Sequence, residues 1–227
     1  MIATRREFLL AAAAAPAAIQ TAPQPGGRRE ALKLGDDRDG FVYLPRGYAG
    51  RPLPMLLMLH GAGNTSMSVQ YALPLADELD VIVLAPDSRD ERTWDGVLRS
   101  WGPDVEFLSA AVAQTLERHR VDRTRVGIGG FSDGASYALS FGISYGDQFR
   151  AVIAMSPGVM QPIAARGKPR IFISHGTADP IMPIDLTSRR FVPKLKDLGY
   201  DVTYREYEGR HSPSPPVVRE AFDWFLR

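Results

Sequence analysis

The sequence predicts an α/β fold, in which a mostly parallel central sheet carries helices on both faces. Apolar runs alternate with amphipathic stretches through most of the 227 residues. The apolar runs are short and nearly continuous, which is typical of strands buried on both faces. Most of them end at Gly, Pro, Ser or His, and in such sheets ligands bind beyond the carboxyl ends of the strands. The loops that follow the runs are therefore where functional residues are expected.

Each predicted strand is an apolar run that stops at a turn-forming or polar residue. In chain order, the first six runs and the residues that close them are 41–44 before Pro45, 53–59 before His60-Gly61, 81–85 before Pro86, 125–129 before Gly130, 151–155 before Ser156-Pro157, and 171–174 before His175-Gly176. The seventh, residues 202–207, alternates apolar and polar positions, which favours a strand nearer the sheet edge.

The helices are predicted from the amphipathic stretches between these runs. In one of them apolar side chains recur at helical spacing, at Val105, Leu108, Val112 and Leu116. The predicted helices are residues 68–79, 105–118, 135–145, 186–198 and 217–226. This regular alternation of strand and helix favours parallel strands joined by helical crossovers.

Composition and charge exclude several classes of protein. Lys and Arg number 27 against 26 Asp and Glu, so no basic surface for nucleic acid is expected. About 44% of the residues are hydrophobic, which is enough for a buried core. The chain has no cysteine, and this excludes disulfides, thiolate-metal sites and cysteine nucleophiles.

The N-terminus has the three parts of an export signal. Arg5 and Arg6 precede an Ala-rich apolar stretch that reaches Ile19, and small residues and prolines follow. The stretch from Phe8 to Ile19 is too short to span a bilayer, so no stable membrane anchor is expected. Paired arginines before Glu-Phe-Leu resemble a twin-arginine signal, which predicts the twin-arginine export machinery as a partner and a periplasmic or secreted protein.

The domain organisation follows from this signal. Its cleavage is expected after Ala17 or a few residues later. We assign residues 1–22 to the export signal, 23–36 to a Pro- and Gly-rich linker, and 37–227 to a single folded domain. The alternative for the first segment is a disordered Ala-rich tail with two chance arginines.

A G-x-S-x-G run, Gly130 to Gly134, follows one predicted strand and opens the next predicted helix. That context is typical of a nucleophile elbow, a tight turn that raises its serine above the end of the sheet. The glycines avoid clashes in the turn, and the helix N-terminus favours a developing oxyanion nearby. Ser132 is therefore the predicted nucleophile, and the alternative is a Gly-rich turn with a capping serine.

A serine nucleophile needs a base, and the base needs an orienting acid. Where such an elbow is used, these groups follow in the chain order Ser, acid, His. His211, before the last predicted helix, is the only histidine late enough to follow an acid. Asp179, just past a strand end, is the predicted acid, because Asp185 suits a helix start and Asp201 lies at the wrong end of the sheet. The alternative for both residues is an ordinary turn position.

Two backbone N–H groups are expected to form an oxyanion hole. One belongs to Asp133, the residue after the serine. The other belongs to Ala62 in the His-Gly-Ala-Gly loop, with Gly63 as the neighbouring alternative. A carboxylate beside an oxyanion would oppose catalysis, so the Asp133 side chain is expected to turn outward and cap the helix.

Trp94 follows another strand end, in a loop-like segment. One prediction is that it lines the acyl or alcohol pocket as a substrate-binding residue. The alternative is that the ring packs beneath the loop, and the sequence does not favour either.

Four blocks of the sequence resemble the α/β-hydrolase superfamily. Within it they are similar to the phospholipase/carboxylesterase group and to extracellular esterases of the polyhydroxybutyrate-depolymerase type. The blocks are LMLHGAG at 57–63, GGFSDGA at 129–135, SHGTADPIMP at 174–183 and GRH at 209–211. The resemblance covers residues from about 41 to the end. It departs at Asp133, where glutamine is common in carboxylesterases, and in having no long insertion for a lid.

The resemblance implies an α/β-hydrolase fold without a large lid, and esterase or thioesterase chemistry that uses no metal and no cofactor. It also implies a structural place for His175 beside the acid loop. We therefore predict a serine hydrolase that cleaves a small-molecule carboxylic ester through an acyl-enzyme. The alternatives are a peptidase of the prolyl-oligopeptidase type, which shares the order of the triad, and a non-catalytic binding protein with this fold.

Overall fold

Buried apolar strands form the centre of the molecule. The computed structural model describes residues 26–227 apart from 36 and 99, and the predicted export signal lies outside them. Within this part of the chain eight strands make one sheet: β1 (Arg28–Ala31), β2 (Gly40–Leu44), β3 (Leu53–Leu59), β4 (Ile82–Pro86), β5 (Val121–Phe131), β6 (Ala151–Met155), β7 (Arg170–Gly176) and β8 (Val202–Tyr207).

The sheet is mostly parallel. Its strand order is β1-β2-β4-β3-β5-β6-β7-β8. The β1–β2 and β2–β4 pairs are antiparallel, and the five pairs from β4 to β8 are parallel. The carboxyl ends of β3 to β8 therefore meet at one edge of the sheet, where the loops that carry the predicted site residues begin.

Helices cover both faces of the sheet. In the described residues they are α1 (Leu73–Leu79), α2 (Asp95–Leu98), α3 (Pro103–Arg118), α4 (Asp133–Ser144), α5 (Ser188–Asp197) and α6 (Pro215–Leu226), with 3₁₀ helices at Ser66–Ala72 and Ile184–Leu186. Of the helices described, none has the combination of length and apolar character that crossing a membrane requires.

The sheet separates two apolar cores. Along β3, Leu57 and its odd-numbered neighbours pack in the core that includes residues of α3, α4 and α5. Leu56 and Met58 pack on the other face, with residues of α1 and α6. Every residue of β3, β4 and β6 is buried, as the continuous apolar runs require. The predicted sheet with helices on both faces is confirmed.

Residues 28–31 correct the predicted domain boundary. The sequence predicts a linker over residues 23–36, yet Arg28–Ala31 forms β1 and pairs with β2. The N–H of Gly27 also donates to the hydroxyl of Tyr43 at 2.8 Å. A strand at the edge of a sheet is stabilised by its ladder of hydrogen bonds, so its polar, largely exposed side chains give no apolar pattern. The folded domain therefore begins before residue 37.

Candidate active site

Ser132 stands at a sharp turn between β5 and α4. Its φ is +59°, in the left-handed region, where a residue with a Cβ is strained. Two glycines make the turn possible. A Cβ on Gly134 would lie 2.3 Å from the carbonyl oxygen of Leu59, and one on Gly130 would lie 2.5 Å from the carbonyl carbon of Gly134. The turn therefore presents the serine at the carboxyl edge of the sheet, directly before the N-terminus of α4.

Ser132, His211 and Asp179 lie in one chain of hydrogen bonds. Ser132 Oγ is 2.8 Å from His211 Nε2, and His211 Nδ1 is 2.6 Å from Asp179 Oδ2. Because a carboxylate only accepts, Nδ1–H donates to Asp179, and Nε2 accepts the serine hydroxyl. The serine–imidazole distance is within the reach that a general base needs. Chemically, this arrangement can move a proton from the serine oxygen to the imidazole.

Asp179 is held by the loop that follows β7. Its Oδ1 accepts the N–H groups of Ile181 and Met182, both at 2.9 Å. Burial alone would raise the pKa of Asp179, but these two bonds and the bond from His211 together outweigh it and hold that pKa below its ordinary value. The group is therefore a carboxylate at neutral pH, and it can stabilise a positively charged imidazole.

The loop that carries His211 is fixed to the acid loop. The Tyr207 hydroxyl donates to the carbonyl of Ser212 at 2.7 Å. The N–H of Ala178, one residue before the acid, donates to the carbonyl of Gly209 at 3.0 Å. The Ala178 bond joins the acid loop to the loop of the base, and the Tyr207 bond ties the loop of the base to β8.

His175 lies beneath the acid loop, with its side chain fully buried. Nδ1 is 2.7 Å from Ser188 Oγ, and Nε2 is 2.7 Å from the carbonyl oxygen of Met182. Because a carbonyl only accepts, Nε2–H donates to Met182, and Nδ1 accepts the serine hydroxyl. Burial lowers the pKa of His175, which keeps the ring neutral. Its bond to Met182 supports the segment whose N–H groups hold Asp179.

The two residues predicted for the oxyanion hole are both beside Ser132. Asp133 follows it at the start of α4, and Ala62 lines the same cavity as the serine. A Cβ on Gly61 would lie 3.4 Å from the Cβ of Ser132, so the loop passes close to the nucleophile. Within the described part of the chain, neither the Ala62 N–H nor the Asp133 N–H donates to a protein acceptor. Both groups are available to a bound oxygen.

The Asp133 side chain does not turn outward as expected. It is 7% exposed, and its Oδ2 accepts the hydroxyl of Thr93 at 2.6 Å. A carboxylate buried on the protein side needs a donor of this kind, because its desolvation would otherwise be costly. The sequence contained no signal for this pairing, since the two residues are 40 positions apart.

Trp94 packs beneath the loop and does not line the cavity around Ser132, so the pocket prediction is wrong. Its side chain is fully buried. The ring lies between His60, at 4.8 Å, and Tyr137, at 5.4 Å, measured between ring centroids. Its Nε1–H donates to the carbonyl of His60 at 2.8 Å. A buried indole needs one acceptor, and a backbone carbonyl below the loop provides it.

A cavity of about 430 Å³ opens in front of Ser132 and His211. Its walls are mainly apolar, and they include three side chains that no sequence motif predicts: Val69, Tyr71 and Ile181. The first two fall in or beside a predicted helix, but its amphipathic pattern does not show which residues face a cavity. Val69 is buried, whereas Ile181 is 62% exposed at the rim.

A family model described as phospholipase/carboxylesterase matches residues 49–225. The chain belongs to the phospholipase/carboxylesterase family. Similar proteins include a probable feruloyl esterase C of Aspergillus niger, 28% identical over 171 residues, which cover 71% of this chain and 58% of that protein. Acyl-protein thioesterase 1 of Gibberella zeae is 27% identical over 209 residues, 86% of either chain. This family member thus spans less than two thirds of the feruloyl esterase.

Solved structures share the fold of this phospholipase/carboxylesterase family member. Esterase PE8 superposes with a TM-score of 0.68 at 21% identity, over 83% of this chain and 98% of that one. A fluorophosphonate-binding serine hydrolase of Staphylococcus aureus gives 0.71 at 15% identity, over 88% and 99%. A ferulic acid esterase of Anaeromyces mucronatus gives 0.67 at 16% identity, over 91% of each. At such identities the likeness concerns the fold, and the predicted α/β-hydrolase fold is confirmed.

Proposed function

We propose that this protein is a serine esterase that hydrolyses carboxylic esters through an acyl-enzyme. Ser132 is the nucleophile, His211 the general base and acid, and Asp179 the group that orients the imidazole. One observation carries the proposal: the unbroken hydrogen-bond chain from Ser132 Oγ through both ring nitrogens of His211 to Asp179. The family match and the strained turn at Ser132 support it.

The first half of the reaction forms the acyl-enzyme. Ser132 Oγ attacks the ester carbonyl carbon while His211 Nε2 takes the hydroxyl proton. The carbonyl oxygen becomes an oxyanion that accepts the N–H groups of Ala62 and Asp133. When the tetrahedral intermediate collapses, the bond to the alcohol oxygen breaks, and the imidazolium gives its proton to that oxygen. Asp179 stabilises the positive ring meanwhile.

The second half restores the enzyme. A water molecule attacks the acyl carbon, and His211 takes a proton from it. The bond to Ser132 Oγ then breaks, the serine recovers its proton from the imidazolium, and the free acid leaves. Besides the ester and the water, the groups that act in both halves are residues of the chain, which supplies the nucleophile, the acid, the base and the oxyanion donors.

The proposed substrate is a carboxylic ester whose acyl group enters the cavity of about 430 Å³. The apolar walls favour an apolar or aromatic acyl group. The relatives named feruloyl esterase C and acyl-protein thioesterase 1 suggest two chemistries to compare. A panel of p-nitrophenyl esters of rising acyl length, a feruloyl ester and an acyl thioester, measured as kcat/KM, distinguishes them.

Labelling with a fluorophosphonate, followed by mass spectrometry of the labelled peptide, tests the nucleophile. We expect the label on Ser132, and Ser132→Ala to lose it together with ester turnover, by about 10⁴-fold. Ser156→Ala is the matched control, because Ser156 is another buried serine at a strand end with positive φ. It should keep the label. A Ser132→Ala protein that retains more than a tenth of wild-type turnover would refute the assignment.

We also propose that the protein is exported in folded form to the periplasm or beyond. The support is the sequence alone: Arg5-Arg6, the short apolar stretch and the small residues that follow. In this proposal residues 1–22 are the signal read by the twin-arginine machinery. The catalytic domain includes the edge strand β1 as well as residues 37–227.

A further inference from the structure

We propose that the segment from Ser88 to Asp95 holds the two donors of the oxyanion hole, the N–H groups of Ala62 and Asp133, in position. Thr93 and Trp94 are its positioning residues. The inference rests on the proposed function, since it concerns how Ala62 and Asp133 are held. Neither Thr93 nor Trp94 lines the cavity in front of Ser132. They act through the residues that do.

The half of the site that contains Ala62 is held from beneath. The indole N–H of Trp94 donates to the His60 carbonyl at 2.8 Å. The N–H of Ser88 donates to His60 Nε2 at 3.0 Å. That bond makes Nε2 the acceptor of the ring, so Nδ1–H donates to the Gly61 carbonyl, 2.8 Å away. Both carbonyls just before Ala62 are therefore fixed.

The other side of the same loop is also tied to the segment. The N–H of Gly63 donates to the carbonyl of Arg92 at 2.8 Å. The peptide unit before Ala62 is therefore linked to Ser88 through the ring of His60, and the peptide unit after it is bonded to Arg92 directly. The direction of the Ala62 N–H is set by these contacts, because a peptide plane between two fixed neighbours has little freedom to rotate.

The Asp133 half is held by the neighbouring side chain. The Thr93 hydroxyl donates to Asp133 Oδ2 at 2.6 Å. This bond ties the buried carboxylate of Asp133 to the segment 88–95. The backbone N–H of the same residue is the second oxyanion donor. A carboxylate free to approach the oxyanion would raise its energy. Because Thr93 and Trp94 are adjacent, one dipeptide sets the relation between the two donors.

The segment is itself anchored at both ends by one carboxylate. Asp104, whose side chain is fully buried, accepts the N–H of Arg89 at 2.6 Å and the N–H of Asp95 at 2.7 Å. Asp95 in turn accepts the hydroxyl of Tyr137, a residue of α4, at 3.2 Å. A loop anchored in this way can hold its contacts to the site at a constant geometry.

The test removes each contact with little change in shape. Thr93→Val removes the hydroxyl and Trp94→Phe removes the indole N–H. We expect kcat to fall about 10- to 100-fold in each, with KM within about twofold, because oxyanion contacts form in the transition state. The inhibition constant of a trifluoromethyl ketone, which forms an oxyanion on Ser132, should rise by the same factor. Thr93→Ser should restore most of kcat.

The controls are a buried threonine and a second tryptophan. Thr115→Val removes a hydroxyl that bonds within α3, to Ala111. Trp101→Phe changes a ring that packs on Tyr137 without a bond to His60. Both should keep kcat and the ketone affinity. An equal loss of kcat in the controls and in the two test variants would overturn the proposal.

The outcomes separate this proposal from the one on which it rests. If folded Thr93→Val and Trp94→Phe keep the wild-type kcat while Ser132→Ala is inactive, the positioning role of the segment 88–95 is refuted and the esterase proposal stands. An active, unlabelled Ser132→Ala would refute both. If Thr93→Val does not fold, Trp94→Phe tests the Ala62 half by itself, through the same kcat and inhibition constant.

Discussion

At the scale of single residues, the two late histidines differ in the groups that surround them. His211 bonds to the serine and to the acid, and its side chain is 14% exposed. His175 is fully buried and bonds to Ser188 and to a backbone carbonyl, and its Nε2 lies 3.3 Å from Asp179 Oδ2. Both residues follow an apolar run of the sequence that predicts a strand, so the strand pattern does not distinguish them, but the order of acid and base along the chain does.

Replacement of each histidine by alanine should therefore have opposite effects. His211→Ala should reduce ester turnover by about 10⁴-fold, while the free energy of unfolding stays within about 1 kcal/mol. His175→Ala should lower that free energy by about 2 to 4 kcal/mol, because it leaves buried partners unpaired and a cavity. Its folded fraction should keep measurable turnover. Urea denaturation and a p-nitrophenyl ester assay measure both. If turnover requires His175 and not His211, the assignment of the triad is wrong.

At the scale of elements, α4 binds a loop by a regular series of serines. Three serines spaced four residues apart each donate to the carbonyl four positions earlier, and each accepts an N–H from the connection between β6 and β7. The pairs are Ser136 with Gly158 at 2.8 Å, Ser140 with Gln161 at 2.9 Å, and Ser144 with Ile163 at 3.0 Å. The connection therefore lies along the helix that begins at the nucleophile.

Ser140→Ala should destabilise the protein by about 1 kcal/mol, because the N–H of Gln161 loses its acceptor in a partly buried place. Ser109→Ala is the matched control. The hydroxyl of Ser109 makes the same bond within α3, to Val105, but it is exposed and accepts no hydrogen bond from the residues that the structure describes. It should change stability by less than about 0.5 kcal/mol. Thermal denaturation of the two variants gives the comparison, and equal midpoints would contradict the expected role of the loop contact.

The sequence predicted those elements whose pattern comes from burial. Continuous apolar runs gave β3, β4 and β6 nearly to the residue, since both faces of these strands are covered. The polar strand β1 was missed, because its place is set by pairing with β2. The residue types and spacing around Ser132, Asp179 and His211 predict these three site residues. The contacts that support the site cannot be predicted in this way, because Thr93 and Trp94 each bond to a partner more than 30 residues away.

At the scale of the whole molecule, the route of export makes a prediction about the precursor. Replacing both Arg5 and Arg6 by lysine should hold the precursor in the cytoplasm, because the paired arginines are the address that the twin-arginine machinery reads. The chain offers a matched control in Arg28 and Arg29, another arginine pair, which lies in β1. Lysines there should leave export intact. Fractionation with an antibody against the folded domain measures it, and an unchanged periplasmic yield from the first variant would refute the proposed route.

The pH dependence of stability also belongs to the whole molecule, because it sums over its buried groups. Burial lowers the pKa of both His60 and His175 in the folded state. Between those values and the ordinary pKa of about 6.5, the unfolded chain binds protons that the folded chain does not. The free energy of unfolding therefore rises with pH in that window. This stability is fully present above about pH 6.5 and is lost as the pH falls below it.

Each such histidine contributes a slope of at most about 1.4 kcal/mol per pH unit. Asp179, whose folded pKa is depressed, does not contribute to this slope, because its stabilisation is lost only below the ordinary carboxylate range near pH 4. Urea denaturation at pH 7.5, 6.5 and 5.5 should show falling stability. His175→Gln, which keeps a donor and an acceptor but cannot titrate, should be less stable at pH 7.5 and have a shallower slope. A slope that is unchanged by this replacement would mean that the pKa of His175 is the same in the folded and the unfolded chain, so that the Met182 carbonyl and Asp179, which raise it, offset the effect of burial.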